Sequence, residues 1–439
     1  AITMSKGLID NPQHPKLNHY GKGYSSSAFG RKRLIETLER YEKWDLILEL
    51  SKTHYLEPTN NEKLQAERML VMARSHFEMG DHNSLNSSLN KIIERVSSAE
   101  KIKNEKKEEA KTKAEKEKKN KEETEKIVKE AGRSSEDKLK YLRPIRDELE
   151  VYRELLGGVK LNDDLAKKVK RKKPALAMLQ LKYGDKAKAK EISLQAVNEG
   201  VGKVLPLAVY VHVLEVNGDQ DEAAKQFAVL EKNSAQIDIE ATPFVRLLPV
   251  AKRLGKPEDW RTKESWRGKD FGEKKPADLN HLGPLVYQTQ VAPDFDILCE
   301  DGSRSSLSSF SGKPVLLVFY LGHNCEHCVE QLNNLAPVAK EFESAGIEIV
   351  AIGPEALTEL AKAHNLCSSG EERFPFKLYS DLESASFKDY RSYDDFEGMP
   401  LHGVFLIDES SKLRWMDVGP EPFQDIKFLL KESKRLLSM

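Results

Sequence analysis

The four cysteines of this chain all lie in its last third, and no cysteine precedes Cys299. Four cysteines in 439 residues are too few for a fold held together by disulfides. Their distribution instead predicts one cysteine-using domain joined to a region built without cysteine. The length agrees with this division, because 439 residues correspond to two or three domains at about 100–200 residues each.

The charge balance limits the classes of partner. Lysine and arginine number 70, aspartate and glutamate 71, and the formal net charge is -1. A general nucleic-acid or membrane-surface binder is therefore not expected. The longest apolar run, Val315–Leu321, is far shorter than the ~20 residues of a membrane span, so we expect no transmembrane segment. The chain starts at Ala1, which fits either a removed leader or a fragment.

Helical periodicity begins near Arg31, after a polar stretch over 1–30 that predicts an extended leader or a segment draped on a neighbour. Gly-Asp turns follow at Gly80, Gly184 and Gly218, and the last two are 34 residues apart, the period of a tetratricopeptide repeat. With small residues at matching offsets, the stretch 31–258 resembles tetratricopeptide-like helical hairpins. The alternative is an unrelated helical bundle.

A charged insertion over 100–135 interrupts these hairpins, and a polar linker follows them. Within 101–130, 21 of the 30 residues are charged, which predicts a solvated helix or a disordered excursion. Lys/Glu pairs four residues apart favour the helix. The linker covers 259–285, where Trp260 and two further aromatics are expected to pin it to a domain surface.

The last third, 286–439, has a different pattern. Short apolar runs at 315–320, 347–352 and 404–407 predict strands, and 325–342 and 355–364 predict helices between them. Strands alternating with helices indicate βαβ units on a mostly parallel sheet. The chain as a whole is therefore expected to be multidomain, with an α-helical array followed by an α/β domain.

The motif Cys325-Glu326-His327-Cys328 directly follows the first of these strands and opens the first helix. Two cysteines three residues apart at a helix N-terminus can form a disulfide within one turn. The positive end of the helix dipole and the free N–H groups stabilise a thiolate on the first sulfur. This pattern predicts thiol–disulfide exchange, with Cys325 as nucleophile and Cys328 as the cysteine that resolves the mixed disulfide.

The segments around the motif carry a family resemblance. They are APDFDILCEDG, SLSSFSGKPVLLVFYLGHNCEHCVEQL, GIEIVAIG, FPFKLYSD and HGVFLIDESSKLRW. In this order they resemble the redoxin branch of the thioredoxin-like superfamily, which contains the alkyl hydroperoxide reductase/thiol-specific antioxidant (AhpC/TSA) peroxiredoxins and thioredoxin-like oxidoreductases. The resemblance implies a thioredoxin-like fold over 286–439, a nucleophilic or peroxidatic Cys325 and a resolving Cys328. It implies no cofactor beyond the redox-active disulfide.

The chain departs from both branches of that family. Peroxiredoxins have a proline and a threonine or serine where this chain has Val318 and Gly322, and an arginine where His402 stands. Without the hydroxyl and the guanidinium, a bound peroxide loses hydrogen bonds, which argues against an efficient peroxidase. Thioredoxins have a tryptophan and a buried aspartate where this chain has Asn324 and Phe319.

Other side chains near the motif are candidates for a redox or metal role. His327 resembles the histidine of strongly oxidising thiol oxidases and predicts a reduction potential above that of thioredoxin, which Glu326 opposes. His323 adds a second donor, and solvent exposure is the alternative for both histidines. A structural zinc site on both cysteines and both histidines is the rival, but the strand–CxxC–helix context favours redox chemistry and no metal. Cys367 is either an extra resolving thiol or an inert one.

The sequence therefore predicts a thiol–disulfide oxidoreductase whose helical repeats bind a protein partner or substrate. Its partners would be a protein thiol or disulfide and a reductant, and no nucleic acid. One alternative is a peroxiredoxin-like peroxidase with a divergent site. Another is a scaffold or assembly subunit with a non-catalytic redoxin module. The redox pair narrowly favours an extracytoplasmic (periplasmic or secreted) location over the cytoplasm.

Overall fold

The structure is a computed structural model that describes residues 1–263, 288–368 and 373–439. The contacts divide the chain into two compact units. One comprises Ala1–Lys6 and Phe29–His281, and the other Gly7–Ala28 and Leu282–Met439. Among the described ranges, none of the helices combines the length and apolarity that a membrane crossing requires.

Helices alone build the described part of the first unit. In chain order the first fourteen helices are α1 (Ile2–Asp10), α2 (Ser26–Arg40), α3 (Trp44–Leu50), α4 (Glu62–Glu78), α5 (His82–Lys116), α6 (Lys121–Ala131), α7 (Arg133–Leu156), α8 (Asp163–Lys168), α9 (Lys173–Tyr183), α10 (Lys186–Glu199), α11 (Val204–Asn217), α12 (Gln220–Lys232), α13 (Thr242–Val245) and α14 (Leu248–Arg253). The predicted α-helical array is confirmed, whereas its tetratricopeptide identity stays a prediction.

The predicted Gly-Asp turns each join two helices. Asp81 accepts a hydrogen bond from the Ser84 N–H (3.0 Å), and Asp185 accepts one from the Lys188 N–H (2.9 Å), so these two aspartates cap the second helix of their pairs. The Asp219 side chain makes no capping hydrogen bond. Gly218 has a φ of 84°, a left-handed conformation that glycine adopts without strain. The helices therefore end at the Gly-Asp turns, as the sequence predicts.

The charged insertion is helical. It is formed by the second half of α5, by α6 and by the start of α7, and none of the residues of α6 is buried. Asn120 and Glu123 form a capping box at the start of α6. The solvated-helix alternative is the one that the structure shows.

A buried ion pair holds α4 against α7. The Arg74 Nε donates to the Glu148 Oε1 (2.8 Å), and the Arg74 guanidinium also reaches the Glu39 carboxylate (2.9 Å). Burial acts to raise the pKa of Glu148, but Arg74 and the Tyr152 hydroxyl hold that pKa below its usual range.

Of the linker aromatics, Trp260 is 1% exposed and packs on Phe227, as the pinning prediction requires. Those at 266 and 271 lie outside the described residues.

A mixed seven-stranded sheet forms the core of the second unit. Its elements are β1 (Asp296–Leu298), β2 (Arg304–Ser306), β3 (Val315–Phe319), α15 (Glu326–Leu335), α16 (Ala339–Ser344), β4 (Glu348–Gly353), α17 (Leu357–His364), β5 (Lys377–Ser380), α18 (Ala385–Asp389), β6 (Tyr393–Asp394), β7 (Met399–Pro400), β8 (His402–Ile407), β9 (Leu413–Gly419) and α19 (Ile426–Leu437). The strand order is β2-β1-β5-β4-β3-β8-β9, and β6 and β7 form a separate ribbon.

The prediction of a mostly parallel sheet is wrong. Only the pairs β3–β4 and β4–β5 are parallel, and the other pairs of this sheet are antiparallel. Short turns explain the difference, because β1–β2 and β8–β9 are hairpins that leave no room for a crossover helix. The helix predicted over 325–342 is also interrupted, by a 3₁₀ turn at Ala336–Val338, where Pro337 cannot donate a backbone hydrogen bond.

The first 30 residues are not an extended leader, because Ile2–Asp10 forms α1. Residues 7–28 belong to the second unit and pack on it. The His14 Nε2 lies 3.0 Å from an Asp417 oxygen, and the ring stacks on Trp415 with an interplanar angle of 10°. The Trp415 Nε1 in turn donates to the Gln13 carbonyl (2.6 Å). His14 is only 9% exposed, because aromatic packing and a carboxylate bury it.

This packing predicts that His14→Ala frees the segment 7–28. The substitution removes a partly buried hydrogen bond to a carboxylate worth about 1.5–3 kcal/mol, so local opening should rise at least about tenfold. Trypsin cleavage after Lys16 and Lys22, followed by mass spectrometry, measures the opening. His19→Ala is the matched control, because the His19 ring accepts a hydrogen bond from the exposed Gly21 N–H and its other hydrogen bonds are made by the backbone carbonyl, which the substitution keeps. Equal cleavage rates in the two variants would contradict the predicted anchor.

Candidate active site

The cysteine motif lies between the end of β3 and the start of α15. Cys325 is the N-cap residue of α15, and its Sγ accepts a hydrogen bond from the Cys328 N–H (3.3 Å). The two cysteines are joined in a disulfide, with Cα atoms 5.3 Å apart. One turn of helix therefore holds both sulfurs at the positive end of the helix dipole, as the spacing predicts.

The two sulfurs have different surroundings. Cys325 is half-buried, whereas Cys328 is 0% exposed and belongs to the core of the domain. The Cys328 Sγ accepts a hydrogen bond from the Leu321 N–H at 3.2 Å. An incoming thiol can therefore reach Cys325, while Cys328 is kept inside next to a backbone donor.

His402 is the histidine that the structure brings to the disulfide. Its Nε2 lies 3.1 Å from the Cys328 Sγ and 3.6 Å from the Cys325 Sγ. It begins β8, whose antiparallel register pairs Gly403 with Phe319 at the end of β3, so His402 extends beside the turn that leads to the motif. The sequence resemblance assigns His402 only to the position of the peroxiredoxin arginine and does not predict its contact with the sulfurs.

The environment of His402 favours its neutral form. The residue is 5% exposed, and burial lowers the pKa of His402 below the ordinary value of histidine. The Pro420 and Gly419 backbone and the Glu421 carboxylate oppose that shift. A neutral imidazole can either donate to a thiolate or accept from a thiol, depending on its tautomer.

The other candidate side chains beside the motif make their described contacts away from the two sulfurs. The His327 side chain is 67% exposed, with its Nδ1 3.9 Å from a Glu330 oxygen. Glu326 is exposed on the first turn of α15. The His323 ring contacts Glu355 through Nδ1 and Glu359 through Nε2. Redox roles for these three side chains stay predictions, since the described contacts do not connect them to the sulfurs.

Glu355 occupies the neighbourhood in which a peroxiredoxin would have its hydroxyl. Its Oε1 accepts the His323 N–H (2.6 Å), and its Oε2 accepts the Tyr320 hydroxyl (3.2 Å). A Cβ added to Gly322 would lie 3.0 Å from the Glu355 Oε1, and Gly322 has a φ of 104°. Threonine or serine at position 322 is therefore unfavourable for both steric and conformational reasons. The sequence predicts the absence of a hydroxyl at Gly322, but it does not predict that the Glu355 carboxylate lies beside this position.

The comparisons with known proteins place the domain in a family. The model of the AhpC/TSA family matches residues 289–416. A chloroplastic peroxiredoxin Q from Populus jackii is 30% identical over 164 residues, which cover 36% of this chain and 72% of the relative. The chain belongs to the AhpC/TSA family. The helical unit lies outside the residues that the family model matches.

Two further proteins are similar to the domain. Peroxiredoxin 2 from Thermoplasma acidophilum is 27% identical over 149 residues, or 34% of this chain and 74% of the relative. The crystal structure of the peroxidoxin BcpB from Mycobacterium tuberculosis matches with a TM-score of 0.30 and 22% identity, over 34% of this chain and 96% of that structure.

The two remaining cysteines of this AhpC/TSA domain are half-buried and not disulfide-bonded. Cys299 lies in the turn between β1 and β2, where its N–H donates to the Ser303 carbonyl. Cys367 follows α17, and Asn333 of α15 bonds to the residues on either side of it. The structure therefore ties the Cys367 segment to α15, and its role as a resolving thiol stays a prediction.

The unequal exposure of the sulfurs predicts unequal alkylation. In the reduced protein, a short iodoacetamide pulse should label Cys325 at least about tenfold faster than Cys328. Cys325 is accessible, and its position at a helix N-terminus favours the reactive thiolate. Peptide mass spectrometry resolves the sites, and Cys299 and Cys367 are internal references for half-buried thiols. Labelling of Cys328 as fast as Cys325 would show that the asymmetry is wrong.

Proposed function

We propose that the AhpC/TSA domain is a thiol–disulfide oxidoreductase that cycles Cys325 and Cys328 between dithiol and disulfide. The observation that carries the proposal is the asymmetry of the pair. Cys325 is accessible at the start of α15, whereas Cys328 is buried against the Leu321 N–H and His402. Such a pair separates the attacked sulfur from the leaving sulfur.

In the reductive half of the cycle, the thiolate of a dithiol reductant attacks the Cys325 Sγ. A mixed disulfide forms, the Cys325–Cys328 bond breaks, and its electron pair stays on Cys328. The Leu321 N–H and the His402 imidazole stabilise that buried thiolate by hydrogen bonding. The second thiolate of the reductant then attacks its own sulfur in the mixed disulfide. This step releases Cys325 as a thiolate and the reductant as a disulfide.

In the oxidative half, the Cys325 thiolate attacks a substrate disulfide and expels one substrate thiolate. The Cys328 thiolate then attacks the Cys325 sulfur of the mixed disulfide, which expels the second substrate thiolate and restores the Cys325–Cys328 bond. Where Cys328 is protonated at the start of this step, the His402 Nε2, which lies 3.1 Å from its Sγ, is the base that can accept the thiol proton. His402 is thus proposed to hold or move the proton of the resolving cysteine.

A peroxidase is the second candidate, and the relatives named peroxiredoxin favour it. In that reaction the Cys325 thiolate attacks a peroxide oxygen and becomes a sulfenic acid as the second oxygen leaves as water or an alcohol. Cys328 then forms the disulfide and releases water. Glu355 beside Gly322 and His402 in place of the family's arginine count against efficient peroxide binding. Thiol–disulfide exchange therefore remains the first proposal.

The binding of a protein partner by the helical unit is a separate proposal. A cleft of about 1440 Å³ within that unit supports it. Nine lysines and arginines line the cleft, against five glutamates. This excess of positive charge would suit an acidic segment of a partner protein.

Turnover of a model disulfide substrate by the full chain with a dithiol reductant tests the main proposal. Cys325→Ser should lower the rate at least about 100-fold, because no other sulfur of the pair is accessible. Cys328→Ser should accumulate a mixed disulfide with the substrate, since the resolving thiol is gone. Cys299→Ser is the matched control and should retain the wild-type rate.

Peroxide consumption, followed in the same proteins by stopped flow, decides between the candidates. The proposal requires Cys325 oxidation by peroxide to be no faster than that of an ordinary thiolate. Rapid peroxide turnover with slow disulfide exchange would establish the peroxidase instead. If the variant that lacks both Cys325 and Cys328 exchanges disulfides as fast as the wild type, the pair is not catalytic, and the scaffold alternative is the one that remains.

A further inference from the structure

Three soft or borderline ligand atoms converge at the redox pair. Among the described residues, the one group of three or more metal-capable side chains is Cys325, Cys328 and His402, whose ligand atoms all lie within 4.8 Å of one another. The His402 Nε2 is 3.1 Å from one sulfur and 3.6 Å from the other. This set differs from the zinc set considered from the sequence, because His402 replaces His327 and His323.

We propose that the reduced form of the domain binds one thiophilic closed-shell cation, Zn²⁺ or Cu⁺, through these three side chains. Zinc bonds of about 2.3 Å to sulfur and about 2.0–2.1 Å to nitrogen place the two ligand atoms of a tetrahedral site about 3.6 Å apart. The two sulfur–nitrogen distances already lie within about 0.5 Å of that value. The two sulfurs of a disulfide are closer together than two sulfur ligands of one ion, and reduction of the disulfide allows them to move apart.

The surroundings suit such an ion. Two thiolates neutralise the charge of Zn²⁺, and two thiolates with an imidazole are the donors that Zn²⁺ and Cu⁺ prefer. The Leu321 and Cys328 N–H groups donate to the sulfurs and hold them in place.

The two ring nitrogens of His402 have different surroundings. Its buried Nδ1 lacks a hydrogen bond of good geometry among the described residues. The Nε2, which faces both sulfurs, is the nitrogen that can bind the ion. Three protein ligands leave a fourth position, on the side of the half-buried Cys325, for water or a substrate thiolate.

Metal binding and the disulfide exclude each other chemically. A dithiol reductant supplies two electrons and two protons to convert the disulfide to two thiols, and binding of the cation then releases those two protons. A peroxide reverses this. The two bound thiolates give up two electrons and form the disulfide, the peroxide takes the electrons and two protons, and the cation leaves. The site would therefore hold metal only under reducing conditions, independently of which substrate the enzyme uses.

Chelator competition with the reduced full chain tests the proposal. Under anaerobic conditions, Zn²⁺ is titrated against a chromophoric zinc chelator and Cu⁺ against a chromophoric Cu⁺ chelator. The expected result is one equivalent bound per chain, in a background with Cys299→Ser and Cys367→Ser. Co²⁺ substitution should give thiolate-to-metal charge-transfer absorption. Peroxide should release the ion with formation of the Cys325–Cys328 disulfide.

The variants identify the ligands. His402→Gln and Cys325→Ser should each weaken binding at least about 100-fold, whereas His327→Ala and His323→Ala should bind as the wild type does. Cys325→Ser keeps the test decisive if His402→Gln does not fold. Binding by only one of the two ions supports the site and names its ion. Absence of binding for both ions, or binding that His402→Gln leaves intact in a folded protein, would overturn the proposal whatever the exchange assay shows.

Discussion

The hydrogen bonds that reach the buried Cys328 sulfur are the contacts on which the rest of the site depends. A thiolate has little favourable interaction with an apolar core, and Cys328 is 0% exposed among apolar side chains. The Leu321 N–H and the His402 Nε2 supply the polar partners that burial removes. Both the exchange mechanism and the metal site require this sulfur to be stable as an anion.

The sheet brings these partners together from distant parts of the chain. Leu321 follows β3, the cysteines begin α15, and His402 begins β8, which pairs with β3 in an antiparallel register. The antiparallel addition of β8 and β9 to the parallel β3–β4–β5 core is therefore what places an imidazole at the disulfide. In the mostly parallel sheet that the strand–helix alternation indicated, a β8 parallel to β3 would put a different residue there.

Local sequence signals predicted much of the fold. The helix N-terminus at Cys325, the three central strands and the Gly-Asp turns follow from periodicity and capping, which act over a few residues. The histidine that contacts the sulfurs did not follow from adjacency, because the His327 side chain at this helix position turns towards solvent while His402, 77 residues from Cys325, packs inside. Likewise, nothing local to His14 indicated the aromatic and acidic groups of β9 that bury it.

A redox titration measures whether Cys325 and Cys328 act as one redox couple that His402 tunes. The full chain is equilibrated with dithiol/disulfide buffers under a metal chelator, and each cysteine is quantified by alkylation and mass spectrometry. We expect one reversible two-electron transition confined to Cys325 and Cys328, at a potential above the value of about −270 mV for thioredoxin, because three hydrogen-bond donors and a helix dipole stabilise the thiolates. His402→Leu should lower that potential. Independent oxidation of the two cysteines, or a potential that His402→Leu does not change, would contradict this expectation.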